Sequence, residues 1–143
     1  MGRRGYYEKK KISTILSEEN YVDIAEDIIK KRIVRDNNYK IKLTTSKIRT
    51  ILDLFNEIRN DVIYDSQKEL SKDIIGRIQY LRLRIIYECG REENKGVVKD
   101  FIECSDILSI IKTIGHDKNK FLLLSKYIEG LVAYHKFYGG KDN

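Results

Sequence analysis

One stretch of this 143-residue chain holds most of the side chains able to act on a charged partner. If the segment that ends near Gly90 is helical, at about 100° per residue, Arg77, Tyr80, Arg84, Tyr87 and Arg91 fall within an arc of about 80°. That ridge runs beside an apolar face of Ile74, Ile78, Leu81 and Ile85, not inside it. Guanidinium groups bind phosphate bidentately and stack on bases, and tyrosine rings add stacking surface. Cations interleaved with aromatics on one ridge therefore suit a single RNA strand. The plainer reading is an amphipathic helix whose border positions are Arg and Tyr because both bury a stem and expose a tip. On spacing alone both readings stand. Arg82 is the odd member. It falls in the arc of Ile78, Leu81, Ile85 and Cys89, where a charge must be paired or reach outward. Asp53 or Glu57 on the preceding helix would pair with it; the functional reading is a guanidinium held rigid for a phosphate.

A second cluster is Leu43-Thr44-Thr45-Ser46-Lys47-Ile48-Arg49. A helix start there offers N–H groups and a partial positive charge, three hydroxyls, and the full charges of Lys47 and Arg49. It could hold a backbone phosphate, or it could be a capped helix start and nothing more. For catalysis the sequence nominates no residues: it has no Gly-rich phosphate loop, no nucleophile elbow and no grouped His and carboxylates. Its acids are scattered at exposed helical positions, as solvated faces and i,i+4 pairs require. Cys89, Cys104, His116 and His135 have no zinc-like spacing, so no metal or other cofactor is expected. The two cysteines read as small buried hydrophobes in a reducing cytoplasm.

The elements that must position these residues are helical throughout. Ser17 is placed to cap a helix that begins at Glu18 and Glu19, with Val22, Ala25, Ile29 and Ile33 on its apolar side. Asp36-Asn37-Asn38 reads as a turn. Thr44 caps the second helix, with Leu43 and Ile48 set for a hydrophobic staple; Ile48, Ile51, Leu52, Phe55, Ile58 and Val62 form its stripe. The third helix follows the polar Asp65-Ser66-Gln67 and stops at Gly90, and Gly76 inside it marks a close helix approach. Val97 to Ile111 makes one or two short helices ending near Gly115. Asp117 caps a last long helix carrying Phe121, Leu124, Ile128, Leu131 and Tyr138, which Gly139-Gly140 end. The chain has no Pro, which favours long uninterrupted helices. The fold expected is all-α, a compact bundle of five or six helices in one domain over residues 17–143.

Charge is uneven. Of a net +6, residues 1–16 hold +4, from Arg3, Arg4, Lys9, Lys10 and Lys11 against Glu8, so the remaining 127 residues carry only +2. Residues 1–16 read as a basic flexible arm, dispensable for folding. No apolar run approaches the roughly 20 residues needed to cross a bilayer, and the basic start leads into no signal-length apolar stretch, so a cytoplasmic protein with no membrane partner is expected.

Three stretches together resemble the small subunit of type III-A CRISPR (Csm) effector complexes: Leu43 to Arg49; Tyr80-Leu81-Arg82 with Tyr87 to Glu92; and Tyr127 to Tyr134 continuing through Phe137-Tyr138-Gly139-Gly140-Lys141. The likeness runs from about Ser17 to Lys141. It implies a helical bundle, several copies of which stack head to tail as an inner filament. Backbone subunits hold the guide RNA, the small subunits face the guide–target duplex, and target cutting and cyclic nucleotide synthesis belong to other subunits. Carried over residue by residue, Lys47, Arg49, Arg82 and Arg91 are the RNA-contact candidates, while Arg77, Arg84 and Tyr87 rest on the ridge alone. Gly130 departs from the Ala expected in relatives, at about 0.5–1 kcal/mol of helix stability. The function expected is non-catalytic and sequence-independent binding to the backbone of target and guide RNA, together with other copies of the chain and with the backbone and large subunits. The alternative is a small helical protein-interaction module with no nucleic-acid role.

Overall fold

The computed structural model describes residues 11–91 and 96–142. Seven α-helices occupy them: α1 Ile12–Ile15, α2 Tyr21–Asp27, α3 Thr45–Tyr64, α4 Lys72–Arg91, α5 Val97–Ser105, α6 Ile107–Ile114 and α7 Lys118–Phe137. Two isolated bridges, Arg35 to Ile41 and Glu69 to Asp117, are the only β pairing among the described residues. The all-α expectation holds, and the helix beyond the expected six is the single turn α1.

Residues 1–10 of the expected arm lie outside the described residues. The rest of that arm is docked: Ser13 N–H donates to Asp106 Oδ2 at 3.0 Å, and Ile12 and Leu16 pack on the core. Ser17 does not start α2. Its hydroxyl accepts from Glu19 N–H, and Asn20 knits the turn by accepting from Ser17 N–H and donating to Ile15 C=O. Local side-chain bonds of this kind compete with helix, so α2 opens only at Tyr21.

After Asp27 the helix widens into a π turn, Ile28–Arg32, in which Ile33 N–H donates to Ile28 C=O at 3.1 Å. Ile28, Ile29 and Ile33 all become buried while Lys30, Lys31 and Arg32 stay outside. The guanidinium of Arg35 donates to the carbonyls of Ile29 and Lys30, which the helix end would leave open. Asp36 then closes the turn that leads to α3, accepting from the N–H groups of Asn38 and Lys40. Those bonds hold its carboxyl below the usual range.

The α3 start is as its sequence predicts: Thr44 Oγ1 accepts from Lys47 N–H, and Leu43 and Ile48 are both buried beside it. Its stripe of Ile48, Ile51, Phe55, Ile58 and Val62 faces the core. The 65–71 connection is pinned to the start of α7, since Lys118 Nζ donates to the Asp65 and Gln67 carbonyls and Leu70 N–H to His116 C=O. The chain then returns along α3 as α4. Gly90 is not a stop; the helix continues through Arg91. Asp106, in the left-handed region at φ +61°, separates α5 from α6.

The centre of the molecule is α7, capped by Asp117 through the N–H groups of Asn119 and Lys120. Phe121, Leu124, Ser125, Tyr127, Ile128, Leu131 and His135 are buried along it, against α2, α3 and α6. The close helix approach is at Gly130, where a Cβ would lie 3.2 Å from the Ala25 Cβ. At Gly76, where the sequence predicts one, a Cβ would meet nothing within 4 Å. The chain ends in a clasp. Tyr138 Oη donates to Glu26 Oε2, Gly139 takes φ +91°, Gly140 N–H donates to His135 C=O, and the Lys141 carbonyl accepts from Thr45 N–H at 2.8 Å. Gly140 lies so close to the His135 ring that a Cβ there would overlap it.

Candidate nucleic-acid interface

Helix α4 presents its ridge because its inner arc is taken by Ile74, Ile78, Leu81, Ile85 and, unexpectedly, Glu88. Positions on the far side of the helix from that arc face outward. Tyr80 is 61% exposed and Tyr87 60%, so two rings stand in solvent on one side of the helix. Leu83 and Ile86, 60% and 47% exposed, share that outer side. The sequence reading missed these two, although their offset from the Ile78–Ile85 stripe marks them as outward-facing.

The four arginines of α4 have different roles. Arg77 is a strut: Nη1 meets Asp61 Oδ2 at 2.6 Å and Nη2 donates to the Glu57 carbonyl, which ties α4 to α3. Arg84 is half-buried and has no hydrogen bond or ion pair among the described residues. Arg91 Nε meets Glu88 Oε2 at 2.9 Å, with the Glu88 side chain 9% exposed and that of Arg91 53%. Arg91 therefore neutralises a buried carboxylate, and the i,i+3 spacing of the two residues was the signal for it. Arg82 is not buried in the apolar arc. It is half-buried at the edge past Ile78, and Nη1 donates to Gln79 Oε1 at 3.4 Å in place of the expected Asp53 or Glu57. It sits on the opposite border of the helix from Arg77 and Arg84, because the buried arc lies between them.

At the start of α3, Arg49 is exposed and Lys47 half-buried, and neither side chain has a partner among the described residues. The helix end itself is less open than the sequence suggests. Thr45 N–H is taken by the Lys141 carbonyl, Lys47 N–H by Thr44 Oγ1, and the Thr44 and Ser46 hydroxyls lie 3.3 Å apart. Among the described residues only Ser46 keeps an uncommitted N–H in that first turn, so charge at this end comes from the Lys47 and Arg49 side chains.

Between α3 and α4 lies an open cleft of about 470 Å³. Leu54, Glu57 and Ile58 form one wall; Lys72, Asp73, Gly76, Arg77, Tyr80, Leu81 and Arg84 are on the other. The structure thus brings Arg77, Tyr80 and Arg84 to one cleft and leaves Lys47, Arg49 and Arg82 out of it. Elsewhere, titratable groups serve packing. Burial and the neighbouring Asp100 push the Cys104 thiol up to about 11, and it donates to the Arg32 carbonyl at 3.5 Å. Burial raises the Tyr127 phenol, which donates to Ser105 C=O, and lowers His135, whose Nε2 lies 2.6 Å from Leu43 C=O. Among the described residues no group of three or more His, Cys, Asp and Glu could hold a metal ion, and no helix is long and apolar enough to cross a membrane.

The chain matches the family model described as Csm2 Type III-A over residues 17–141. A CRISPR system Csm2 protein of Streptococcus thermophilus is 43% identical over 129 residues, which is 90% of this chain and 98% of that protein. One from Mycobacterium tuberculosis is 30% identical over 125 residues, 87% of this chain and 96% of the relative. One from Enterococcus italicus is 38% identical over 98 residues, 67% and 68% of the two chains. The match starts at Ser17 and ends at Lys141, the span over which the sequence likeness runs. The chain therefore belongs to the Csm2 family of type III-A CRISPR systems and is a small Csm subunit.

Proposed function

We propose that this chain is a non-catalytic RNA-binding subunit of a type III-A effector complex, working in the cytoplasm, which holds the backbone of the target RNA and its guide duplex without reading sequence. The observation that carries the reading is the outer side of α4: Arg84, with no partner among the described residues, and half-buried Arg82 on its two borders, with Tyr80 and Tyr87 exposed between them. Phosphate contacts carry no sequence information, which suits a subunit whose complex reads sequence by base pairing. Lys47 and Arg49 extend the cationic surface from α3. The family resemblance adds stacking with other copies and docking on the backbone and large subunits. Exposed Leu83 and Ile86 on α4 and Ile63 and Tyr64 at the end of α3 offer apolar surface for such contacts. Repeated weak contacts along a stack add by avidity, so a body charge of +2 is enough.

Fluorescence anisotropy with two unrelated single-stranded RNAs over a salt series tests this. We expect similar affinities for both and a linear fall of log affinity with log salt. The same exposed Leu83 and Ile86 favour a second reading, a purely protein-docking module. Absence of salt-dependent RNA binding, by the chain alone and within its complex, would overturn the first reading in favour of the second.

A further inference from the structure

The cleft between α3 and α4 has features that a helix–helix seam does not require. Gly76 stands in the interior of a 20-residue helix, where glycine is unfavourable, and no neighbouring helix approaches it. It lies one turn before Tyr80. Residues at i and i+4 neighbour one another on a helix surface, so a long side chain at 76 would extend beside the Tyr80 ring, although a Cβ alone meets nothing within 4 Å. With glycine there, that side of the exposed ring is bare. Arg84, one turn further on, contributes a guanidinium with no partner among the described residues, whereas Arg77 beside it is held by Asp61. The opposite wall, Leu54 and Ile58, is apolar, and Glu57, Lys72, Asp73 and Leu81 complete the lining.

We propose that this cleft is a subsite for one unstacked ribonucleotide, its base lying on the Tyr80 ring against Leu54 and Ile58 and its phosphate on the Arg84 guanidinium. The site rests on the reading that α4 meets RNA. Base–aromatic stacking is indifferent to base identity, which fits a sequence-independent binder. A volume of about 470 Å³ is in the range of small-ligand sites. Glu57 and Asp73 accept hydrogen bonds from exocyclic amines and ribose hydroxyls, and Lys72 adds a further cation to the lining.

The test is an NMR titration of the 15N-labelled chain with adenosine 5′-monophosphate, ribose 5-phosphate and a short single-stranded RNA. Adenosine monophosphate and the RNA should both move the amides of Gly76, Tyr80 and Arg84, and ribose 5-phosphate should move Arg84 alone. Gly76→Leu fills the space beside the ring with a better helix former, so the variant stays folded. It should abolish the Tyr80 response to adenosine monophosphate and weaken RNA binding roughly tenfold without abolishing it. RNA that binds while leaving the cleft amides unmoved, with Gly76→Leu behaving as wild type, would overturn the subsite and leave the RNA reading standing. Ribose 5-phosphate matching adenosine monophosphate at every amide would overturn the base contact. A chain that responds to neither nucleotide nor RNA would overturn the subsite and the RNA reading together.

Discussion

Helices α4 and α7 each have 20 residues, and the sequence marks both as amphipathic, but they use their side chains in opposite ways. On α7 the polar groups turn inward and are bonded: Ser125 to Phe121 C=O, Tyr127 to Ser105 C=O, His135 to Leu43 C=O. On α4 the tyrosines turn outward, and of its cations Arg84 has no partner among the described residues. The same residue type, tyrosine, is a fully buried keystone at 127 and a solvent-facing plate at 80. Position relative to neighbouring helices, not composition, separates the part that holds the fold from the part that meets a partner.

The sharpest way to break that contrast is to make one substitution in both helices. Tyr127→Ala empties a fully buried site and strands the Ser105 carbonyl, so it should cost about 3–5 kcal/mol in denaturant unfolding. Tyr80→Ala should change stability by less than about 0.5 kcal/mol. Equal losses would dissolve the distinction between the two helices.

The arginines sharpen it at intermediate scale. Arg91→Ala leaves the Glu88 carboxylate buried without its partner and should cost about 1 kcal/mol, discounted because Arg91 is itself half in solvent. Arg49→Ala and Arg84→Ala should leave the melting temperature alone and each flatten the slope of log RNA affinity against log salt by about 0.7. Unchanged slopes in these folded variants would remove both residues from the interface.

A pH effect follows from His135 on α7. Burial holds His135 below its ordinary value, so between that lowered value and about 6.5 the unfolded chain binds the extra proton and the native chain does not. Stability should therefore fall as pH drops from about 7 toward 5, and His135→Gln should flatten that part of the profile. A wild-type curve flat over that window would show that burial does not shift the imidazole.

The smallest contrast is between two glycines. Gly76→Ala meets open space and should stabilise by about 0.5–1 kcal/mol. Gly130→Ala gains the same helix propensity but sets a Cβ 3.2 Å from that of Ala25, so thermal unfolding should show a smaller gain. A larger gain at 130 would mean that α2 and α7 give way easily.

What could be read from the sequence was local. The stripe of Ile48, Ile51, Phe55, Ile58 and Val62, the Thr44 and Asp117 caps, the Asp36 turn and the outward placing of Tyr80 and Tyr87 all follow from residues within four positions of one another, where periodicity and capping operate. The family too was legible, since its three stretches are patterns along the chain. What only the tertiary structure decided depends on residues far apart in sequence. Ser13 docks on Asp106, which holds the last residues of the expected arm to the body. Lys141 caps Thr45, which closes most of the phosphate site expected at the start of α3. Ala25 meets Gly130, which moves the close approach away from Gly76. Arg82 and Arg91 show the same limit on a single helix. Periodicity placed Arg82 inside the apolar arc and Arg91 on the ridge beside it, but the depth of that arc, and with it the burial of Glu88 and the solvent left to Arg82, was set by how α3 and α5 pack against α4.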